Sequence, residues 1–328
     1  MSGGVVRWGV LSTARIGVDK VIPATQRAAR CEVVAIASRE MGRAESAASA
    51  LGIERAYGSY DDLLADPEID AVYNPLPNDL HAPWTIAAAE AGKHVLCEKP
   101  LAMNAAEAER MIAACEAAGV LLMEAFMYRL HPTWEAVREL VASGRIGELR
   151  AIQSWFSYLN DDPTDIRNIP ASGGGALYDI GCYPVNLSRM LFGAEPMRIL
   201  GSVTRDPVMG IDVLTSAILD FPAGVASFTC STRAEPDQRV NVYGTSGRIS
   251  VEIPFNVPPD LPTRVFVTAG GDPPVRPDTE VLTFEPADEY AIQAERFAAS
   301  VLDGVPVPIL PSDAVANLRV IEELFRVG

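Results

Sequence analysis

Metal ligands and disulfide partners are scarce in this sequence. Its 328 residues contain three histidines and five cysteines. His81, His94 and His131 lie far apart, and Cys31, Cys97, Cys115, Cys182 and Cys230 show no paired spacing. That argues against a zinc site and against a disulfide framework, and it fits a reducing cytoplasm. Basic charge is short as well. Lys and Arg number 27 against 43 Asp and Glu, a net charge of −16. The deficit runs through both halves: residues 1–124 hold 11 basic against 17 acidic side chains, and residues 125–328 hold 16 against 26. Without a basic stripe, nucleic acid is not an expected partner. No apolar run reaches membrane length, so no membrane partner is expected either. The N-terminus (Met1-Ser2-Gly3-Gly4-Val5-Val6-Arg7) lacks the basic start and apolar core of a leader peptide. The expected location is the cytoplasm. Hydrophobic residues at 48% and charged residues at 21% then fit a soluble globular protein, and the length suggests two domains.

The informative stretch is Gly92-Lys93-His94-Val95-Leu96-Cys97-Glu98-Lys99-Pro100. Gly92 can adopt the left-handed conformation that stops a helix. His94 to Cys97 is a run of buried-strand length, too short for a helix. Glu98 and Lys99 follow where the strand leaves the sheet, and Pro100 biases Lys99 toward an extended conformation. A lysine held there points into the crevice where α/β folds bind ligands. Taken alone, the stretch also reads as a surface Glu-Lys-Pro turn.

Upstream, Val5 to Leu11 reads as a strand and leads into Ser12-Thr13-Ala14-Arg15-Ile16-Gly17 and a helix to about Ala29. Ser12, Ala14 and Gly17 occupy the three glycine positions of a dinucleotide-binding turn. Only the third is glycine, so an ordinary strand-turn-helix reads as well from this motif alone. Small residues still let the backbone approach a pyrophosphate, and a helix N-terminus favours the anion. The next strand, Glu32 to Ser38, ends in Ser38-Arg39, where an NAD enzyme would carry an acid for the ribose hydroxyls. An acid would repel a 2′-phosphate, whereas Ser38 and Arg39 can bind one, so NADP rather than NAD is the expected cofactor. The bland alternative is that Arg39 merely opens the next helix with its charge in water.

A helix over 43–51 stops at Gly52, and a short helix over 61–65 follows. Ile69 to Asn74 is a strand, and Pro75-Leu76-Pro77-Asn78-Asp79-Leu80-His81 makes a rigid loop at its end, with Asn78 placed to cap the helix that follows. His81 can touch a cofactor or simply pack, and by itself packing is favoured. Asn104 and Glu107 form a capping box for a helix over 105–118, and 120–123 is a further strand. Alternating strands and helices through residue 123 predict a doubly wound parallel sheet.

The second half reads differently. A helix over 133–142 precedes an alternating strand over 150–158. The polar loop Asn160 to Pro170 suits a polyol, or is a solvated connection. Gly173-Gly174-Gly175 let the backbone pass close to something, and a helix follows to about Phe192. On it, Asp179 and Tyr183 are four apart and share a face, so an acid and a phenol can orient and deprotonate a substrate hydroxyl. Seven β-rich runs between 198 and 285, without helices between them, predict a mostly antiparallel sheet. Helices at about 288–302 and 312–326 close the chain. The open sheet leaves a face to pack on a second copy, so a homodimer or homotetramer is expected. The domains are drawn at 1–123 and 124–328, the closing helices being able to pack back on the first.

The combination of Glu98-Lys99-Pro100, Pro77-Asn78-x-x-His81, Gly-Gly-Gly-x-Leu-x-Asp179-x-Gly-x-Tyr183 and this domain order resembles the glucose-fructose oxidoreductase / inositol dehydrogenase / rhizopine catabolism family of NAD(P)-dependent oxidoreductases. The Asn-Asp-Asp-Pro…Ile-Arg-Asn loop, and Tyr183 where inositol dehydrogenases carry histidine, resemble the D-xylose 1-dehydrogenase and dimeric dihydrodiol dehydrogenase branch. The resemblance implies a Rossmann domain plus an α/β domain with an open, mainly antiparallel sheet used for oligomerisation. It implies Lys99 and Tyr183 as the catalytic pair, with Asp179 orienting Lys99 or a sugar hydroxyl. A free phenol titrates near pH ~10, and a cation such as Lys99 would bring it toward working range. Cofactor contacts are expected from Ser12, Thr13, Ala14, Arg15, Ile16, Ser38, Arg39, Leu76, Pro77, Asn78, His81, Glu98 and Lys99. Substrate contacts are expected from Lys99, Asn160, Arg167, Asp179 and Tyr183. The expected reaction is oxidation of an aldose at C1 to the lactone. Reduction of a ketosugar, oxidation of a trans-diol, and NADP binding without catalysis are the alternatives.

Overall fold

The computed structural model describes residues 4–270 and 278–328. Met1 to Gly3, part of the stretch read for a leader, lie outside the described residues. The chain divides into two compact units. One comprises residues up to Met127 together with Asp288–Val315, and the other comprises Tyr128–Ala287 and Ala316–Gly328.

The first unit is built on six parallel strands: β1 (Val6–Leu11), β2 (Cys31–Ala37), β3 (Arg55–Tyr57), β4 (Ala71–Asn74), β5 (His94–Cys97) and β6 (Leu122–Glu124). Their order, β3-β2-β1-β4-β5-β6, is that of a doubly wound dinucleotide fold. The strands are continuous apolar runs because helices cover a parallel sheet on both faces; Val10, Leu11, Ile36, Val72 and Leu96 are all at most 1% exposed. The helices here are α1 (Ile22–Arg27), α2 (Met41–Leu51), α3 (Tyr60–Leu64), α4 (Asn78–Glu90) and α5 (Ala105–Ala118). Asn104 caps α5 by accepting from the Glu107 N–H at 2.9 Å. The Glu107 carboxylate returns to the Met103 N–H at 3.2 Å, one residue short of a full capping box. The expected cap of α4 is corrected. Asn78 is its first helical residue, and the cap position falls to Pro77, which has no side-chain acceptor. A second departure precedes α1, where Gly17–Val21 forms a π turn. Pro23 follows it, and a proline disturbs the ordinary helical ladder by lacking an N–H and crowding the preceding turn. The late helix Glu289–Asp303 also counts with this unit, and its Phe297 packs on Trp8 of β1 with ring centroids 5.4 Å apart.

The second unit opens with α6 (Pro132–Ala142), and its strands begin with β7 (Leu149–Leu159). A π turn over Leu177–Gly181 runs into α7 (Cys182–Phe192), again with a proline, Pro184, just beyond it. Then come β8 (Arg198–Arg205), β9 (Asp212–Phe221), β10 (Gly224–Ser231), β11 (Arg233–Gly244), β12 (Gly247–Val251), β13 (Thr263–Ala269) and β14 (Thr279–Phe284). The eight strands form one sheet in the order β14-β13-β12-β11-β7-β10-β9-β8. Every pairing is antiparallel except β7 with β10. The chain closes with α8 (Glu289–Asp303), already counted with the first unit, and α9 (Pro311–Val327), most of which counts with the second.

The three glycines before α7 approach the protein itself. Gly174 and Gly175 donate their N–H groups to the carbonyls of Ile169 (3.0 Å) and Arg167 (2.9 Å). Gly175 has φ +127°, and a Cβ there would run into the Asp212 carboxylate. Asp212, at the start of β9 and 1% exposed, accepts from the Leu177 N–H at 2.7 Å. It thus caps, from 35 residues away, the helical turn that carries Asp179. Burial raises its pKa from the usual carboxylate value, and the bond it makes asks only for an acceptor, so an uncharged one of the same shape should serve almost as well. Asp212→Ala should cost about 1–2 kcal/mol and lower the thermal midpoint by several degrees, while Asp212→Asn should cost under about half of that. Equal midpoints for wild type and Asp212→Ala would remove the capping role.

Candidate active site

In the first unit, the carboxyl ends of β1, β4 and β5 are neighbours and carry most of the expected cofactor residues. Ser12 leaves β1 with φ +106°, a conformation rare for an L-residue and natural at the first glycine of a dinucleotide turn. Its Oγ accepts from the Ala14 N–H at 3.2 Å. Thr13, Ala14 and Ile16 are half-buried, and Arg15 is exposed with Asp19 3.7 Å away. The turn therefore keeps the backbone geometry of the motif without its first two glycines. A Cβ on Gly17 would find only ordinary contact, at 3.6 Å from the Tyr73 ring, so the third position is tolerant in space.

The loop after β4 is fixed from below. Asn74, fully buried, donates to the His81 carbonyl (3.3 Å) and to Thr85 Oγ1 (3.2 Å), and its Oδ1 accepts from the Leu76 N–H (3.3 Å). His81 is also fully buried, with Nδ1 2.9 Å from the Pro100 carbonyl and Nε2 2.7 Å from the Leu76 carbonyl. Burial holds its pKa below the usual imidazole value against the pull of those carbonyls, so at neutral pH it donates to one of them at a time. His81 therefore ties the Leu76–Pro77 loop to the Glu98-Lys99-Pro100 loop. Its ring nitrogens are engaged by protein, and only Leu76, Pro77 and Asn78 of this motif are left as candidate contacts.

Glu98 and Lys99 are half-buried, and the Lys99–Pro100 peptide is cis. The Glu98 carboxylate accepts from Tyr73 Oη (2.7 Å) and from the Lys99 N–H (3.2 Å). Leu101 N–H donates to the buried Glu124 at 2.8 Å, which fastens the far side of the loop. At the end of β2, Ser38 is buried and accepts from the Glu40 N–H at 3.3 Å, while Arg39 is exposed. An open groove of about 640 Å³ runs beside them, lined by Thr13, Glu40, Arg43 and Ser46 among others. Arg43, paired with Glu40 at 3.1 Å, is a second cation at this position that the sequence reading passed over. Its only signal was its place four residues after Arg39.

In the second unit, the inward face of β7 meets the helix of Asp179 and Tyr183. Phe156 lies with its ring 5.6 Å from that of Tyr183, and Tyr158 Oη donates to Asp179 Oδ2 at 2.5 Å. Two strand residues span about 6.6 Å and four helical residues about 6 Å, so the two pairs fall in register. Tyr183 is 4% exposed, and the rings of Tyr128 and Phe255 stand 5.7 and 5.2 Å from it. Tyr128 is held in turn by its hydroxyl on Asn186 Oδ1 at 2.7 Å. Arg167 Nε lies 3.5 Å from Asp179 Oδ1, and Asp165 holds the same guanidinium at 3.3 Å. The Asp179 charge raises the Arg167 pKa, and burial together with the same charge raises that of Tyr158. Arg167 stays a cation and Tyr158 a neutral donor at any working pH. Asn160 is not brought to this cluster. Its side-chain oxygen accepts from the Asp162 N–H (3.2 Å) and Asn168 Nδ2 (3.2 Å), which braces the loop. Tyr158 was missed in the sequence, where it is only the last inward position of an alternating strand.

Among the described residues, no group of three or more His, Cys, Asp or Glu is placed to hold a metal ion. Also among them, no helix is long and apolar enough to cross a membrane.

Comparison with known proteins agrees with these two halves. Residues 6–126 match the oxidoreductase family with an NAD-binding Rossmann fold, and residues 134–250 match the GFO/IDH/MocA C-terminal domain. A D-xylose 1-dehydrogenase (NADP(+)) of Haloferax volcanii is 42% identical over 321 residues, covering 97% of this chain and 96% of its own. A trans-1,2-dihydrobenzene-1,2-diol dehydrogenase of Mus musculus is 36% identical over 254 residues, 75% of this chain and 74% of its own. A 3-ketoreductase from Actinomadura kijaniata, solved in complex with NADP and TDP-benzene, superposes with a TM-score of 0.91 at 30% identity, covering 98% of both chains. The chain thus belongs to the glucose-fructose oxidoreductase / inositol dehydrogenase / rhizopine catabolism (Gfo/Idh/MocA) family of oxidoreductases.

Proposed function

We propose that the chain is an NADP-dependent aldose 1-dehydrogenase, oxidising a pentose or hexose pyranose to its lactone with Lys99 and Tyr183 as the catalytic pair. The observation that carries this reading is a nearly buried phenol, Tyr183, one helical turn from a carboxylate, Asp179, that is itself held by Tyr158 and Arg167. Such a set of fixed donors and acceptors suits a hydroxyl-rich ligand better than an apolar one. The identity with the xylose enzyme along nearly the whole chain supports the substrate class.

When bound, the nicotinamide supplies the hydride acceptor. The protein's part is binding, orientation and proton handling. The Ser12 turn brings backbone to the pyrophosphate, and Ser38, Arg39 and Arg43 supply a hydroxyl and two cations for a 2′-phosphate. Tyr183 Oη takes the proton of the substrate hydroxyl. Lys99 Nζ, as a cation at the substrate oxygen, favours the Tyr183 phenolate that accepts this proton and steadies the oxygen as it does so. Asp179 accepts from a neighbouring sugar hydroxyl. In reverse the same groups reduce a carbonyl with Tyr183 as acid. Ketosugar reduction is therefore the second reading, favoured by the close superposition on the 3-ketoreductase. Five cysteines without a disulfide among them support a cytoplasmic location.

The test is reduction of NADP⁺ at ~340 nm (the NADPH absorbance) against a panel of aldoses, inositols and trans-diols, each repeated with NAD⁺. Aldoses should turn over with a strong NADP⁺ preference that Arg39→Ala erodes. Tyr183→Phe and Lys99→Met should each lower kcat by on the order of 100-fold. A Lys99→Met enzyme with unchanged kcat would end the catalytic role of Lys99. Intact NADPH binding with no oxidation anywhere in the panel would favour the ketosugar reductase.

The outer face of the large sheet carries a depression of about 810 Å³ lined by residues of β7, β8, β9, β10 and β11. Leu200 and Ile218, on its floor, are 46% and 44% exposed. We expect a second copy to cover this face, giving a homodimer or homotetramer. Sedimentation should show an oligomer that Ile218→Glu weakens. A monomer at micromolar concentration, or no effect of the charge, would exclude that surface.

A further inference from the structure

The cluster around Asp179 includes a second tyrosine to which the mechanism gives no role. Tyr158 is the last inward residue of β7, beyond the buried Ile152, Ser154 and Phe156. The next residue, Leu159, is 64% exposed, and the chain then turns into the polar loop. The Tyr158 hydroxyl donates to Asp179 Oδ2 at 2.5 Å, the short distance of a charge-assisted O–H···O⁻ bond. The other oxygen, Oδ1, has Arg167 Nε at 3.5 Å. A carboxylate on a helix keeps rotational freedom about its two side-chain bonds unless something fixes it. Here a strand of the central sheet fixes one oxygen, and so sets the direction in which the other faces.

We propose that Tyr158 is a positioning residue for the reaction: its hydroxyl holds the Asp179 carboxylate in the orientation that receives a substrate hydroxyl. This rests on the sugar-dehydrogenase reading above. It extends that reading by dividing the roles of two tyrosines, one on the strand and one on the helix. Tyr158 acts through Asp179, as a donor that keeps its proton. Tyr183 handles the proton of the substrate. Burial and the Asp179 charge, which raise the Tyr158 pKa, fit the first role. A purely structural tie between β7 and the π turn would instead act on stability and leave the substrate terms alone.

Two measurements test it. The first is a double-mutant cycle on an aldose that turns over. Tyr158→Phe keeps the ring and its packing, so NADP affinity should stay at the wild-type value and the thermal midpoint should fall by no more than the few degrees that one hydrogen bond carries. kcat/KM should fall about tenfold, carried mainly by KM, the loss of one hydrogen bond to a charged group. In an Asp179→Asn background the same change should cost less than about twofold, because the two residues act as a unit. Equal losses in both backgrounds, or none in the first, overturn the proposal. The second measurement needs no turnover. In protein carrying [γ-¹³C]Asp, the Asp179 resonance is identified by its disappearance in Asp179→Asn. The charged and titratable groups around it include Arg167, Asp165, Tyr158, Cys182 and Cys230. Tyr158→Phe should raise its titration midpoint by about one pH unit, and an unmoved midpoint overturns the proposal even where no sugar is oxidised. Absence of turnover with a moved midpoint counts against the sugar reading and leaves the Tyr158–Asp179 bond standing.

Discussion

The second unit depends on one register. Phe156 and Tyr158 on β7 stand two residues apart, and they meet Tyr183 and Asp179, four apart on the facing helix. The match of a two-residue strand step to a four-residue helical step lets a rigid central strand determine where a phenol and a carboxylate sit. Around it the packing is aromatic. Tyr128, Phe156 and Phe255 enclose Tyr183, and Phe156 stacks on Phe255 with 18° between the planes. Phenol rings locked in this way lose little further freedom when a ligand binds, which is the condition for a preorganised site.

The first unit reaches the same end with polar rather than aromatic bracing. Its candidate cofactor loops leave the carboxyl ends of neighbouring strands and would be soft if left to themselves. Asn74, His81 and Glu124 lie beneath them at 1% exposure or less, and each binds backbone groups of the loops. Burying such groups is unfavourable unless they are hydrogen-bonded, and here the bonds they make are the ones that shape the loops. His81 shows the division of labour. It belongs to the recognisable motif, yet its ring acts inside the protein, tying the loop of Leu76 to that of Pro100.

Much of this was legible from local pattern. Apolar strands alternating with helices marked the parallel sheet, and seven β-rich runs without helices between them marked the antiparallel one, because parallel neighbours need a crossover that antiparallel ones do not. Lys99, Asp179 and Tyr183 stood out because glycine and proline punctuate their surroundings. The π turns at Gly17–Val21 and Leu177–Gly181 did not, since a proline nearby marks a disturbed helix without saying how it is resolved. Nor did Asp212, whose partner lies 35 residues away. The triple glycine shows the limit well. Its closeness to something was readable, but that the something is Asp212 and the carbonyls of Arg167 and Ile169 is a fact of tertiary structure. Tyr158 was hidden for the same reason: strand alternation gives its side but not its partner.

The central claim is that hydride leaves a sugar carbinol carbon for the nicotinamide. It is tested most directly with an aldose carrying deuterium at C1, oxidised by the enzyme with NADP⁺ and followed by mass spectrometry of the reduced cofactor. The account predicts that the deuterium appears on the cofactor, one mass unit above the unlabelled product, with slower turnover than for the unlabelled sugar and a lactone as the other product. Unlabelled reduced cofactor, or no oxidation of any C1-deuterated aldose while NADPH still binds, would contradict it.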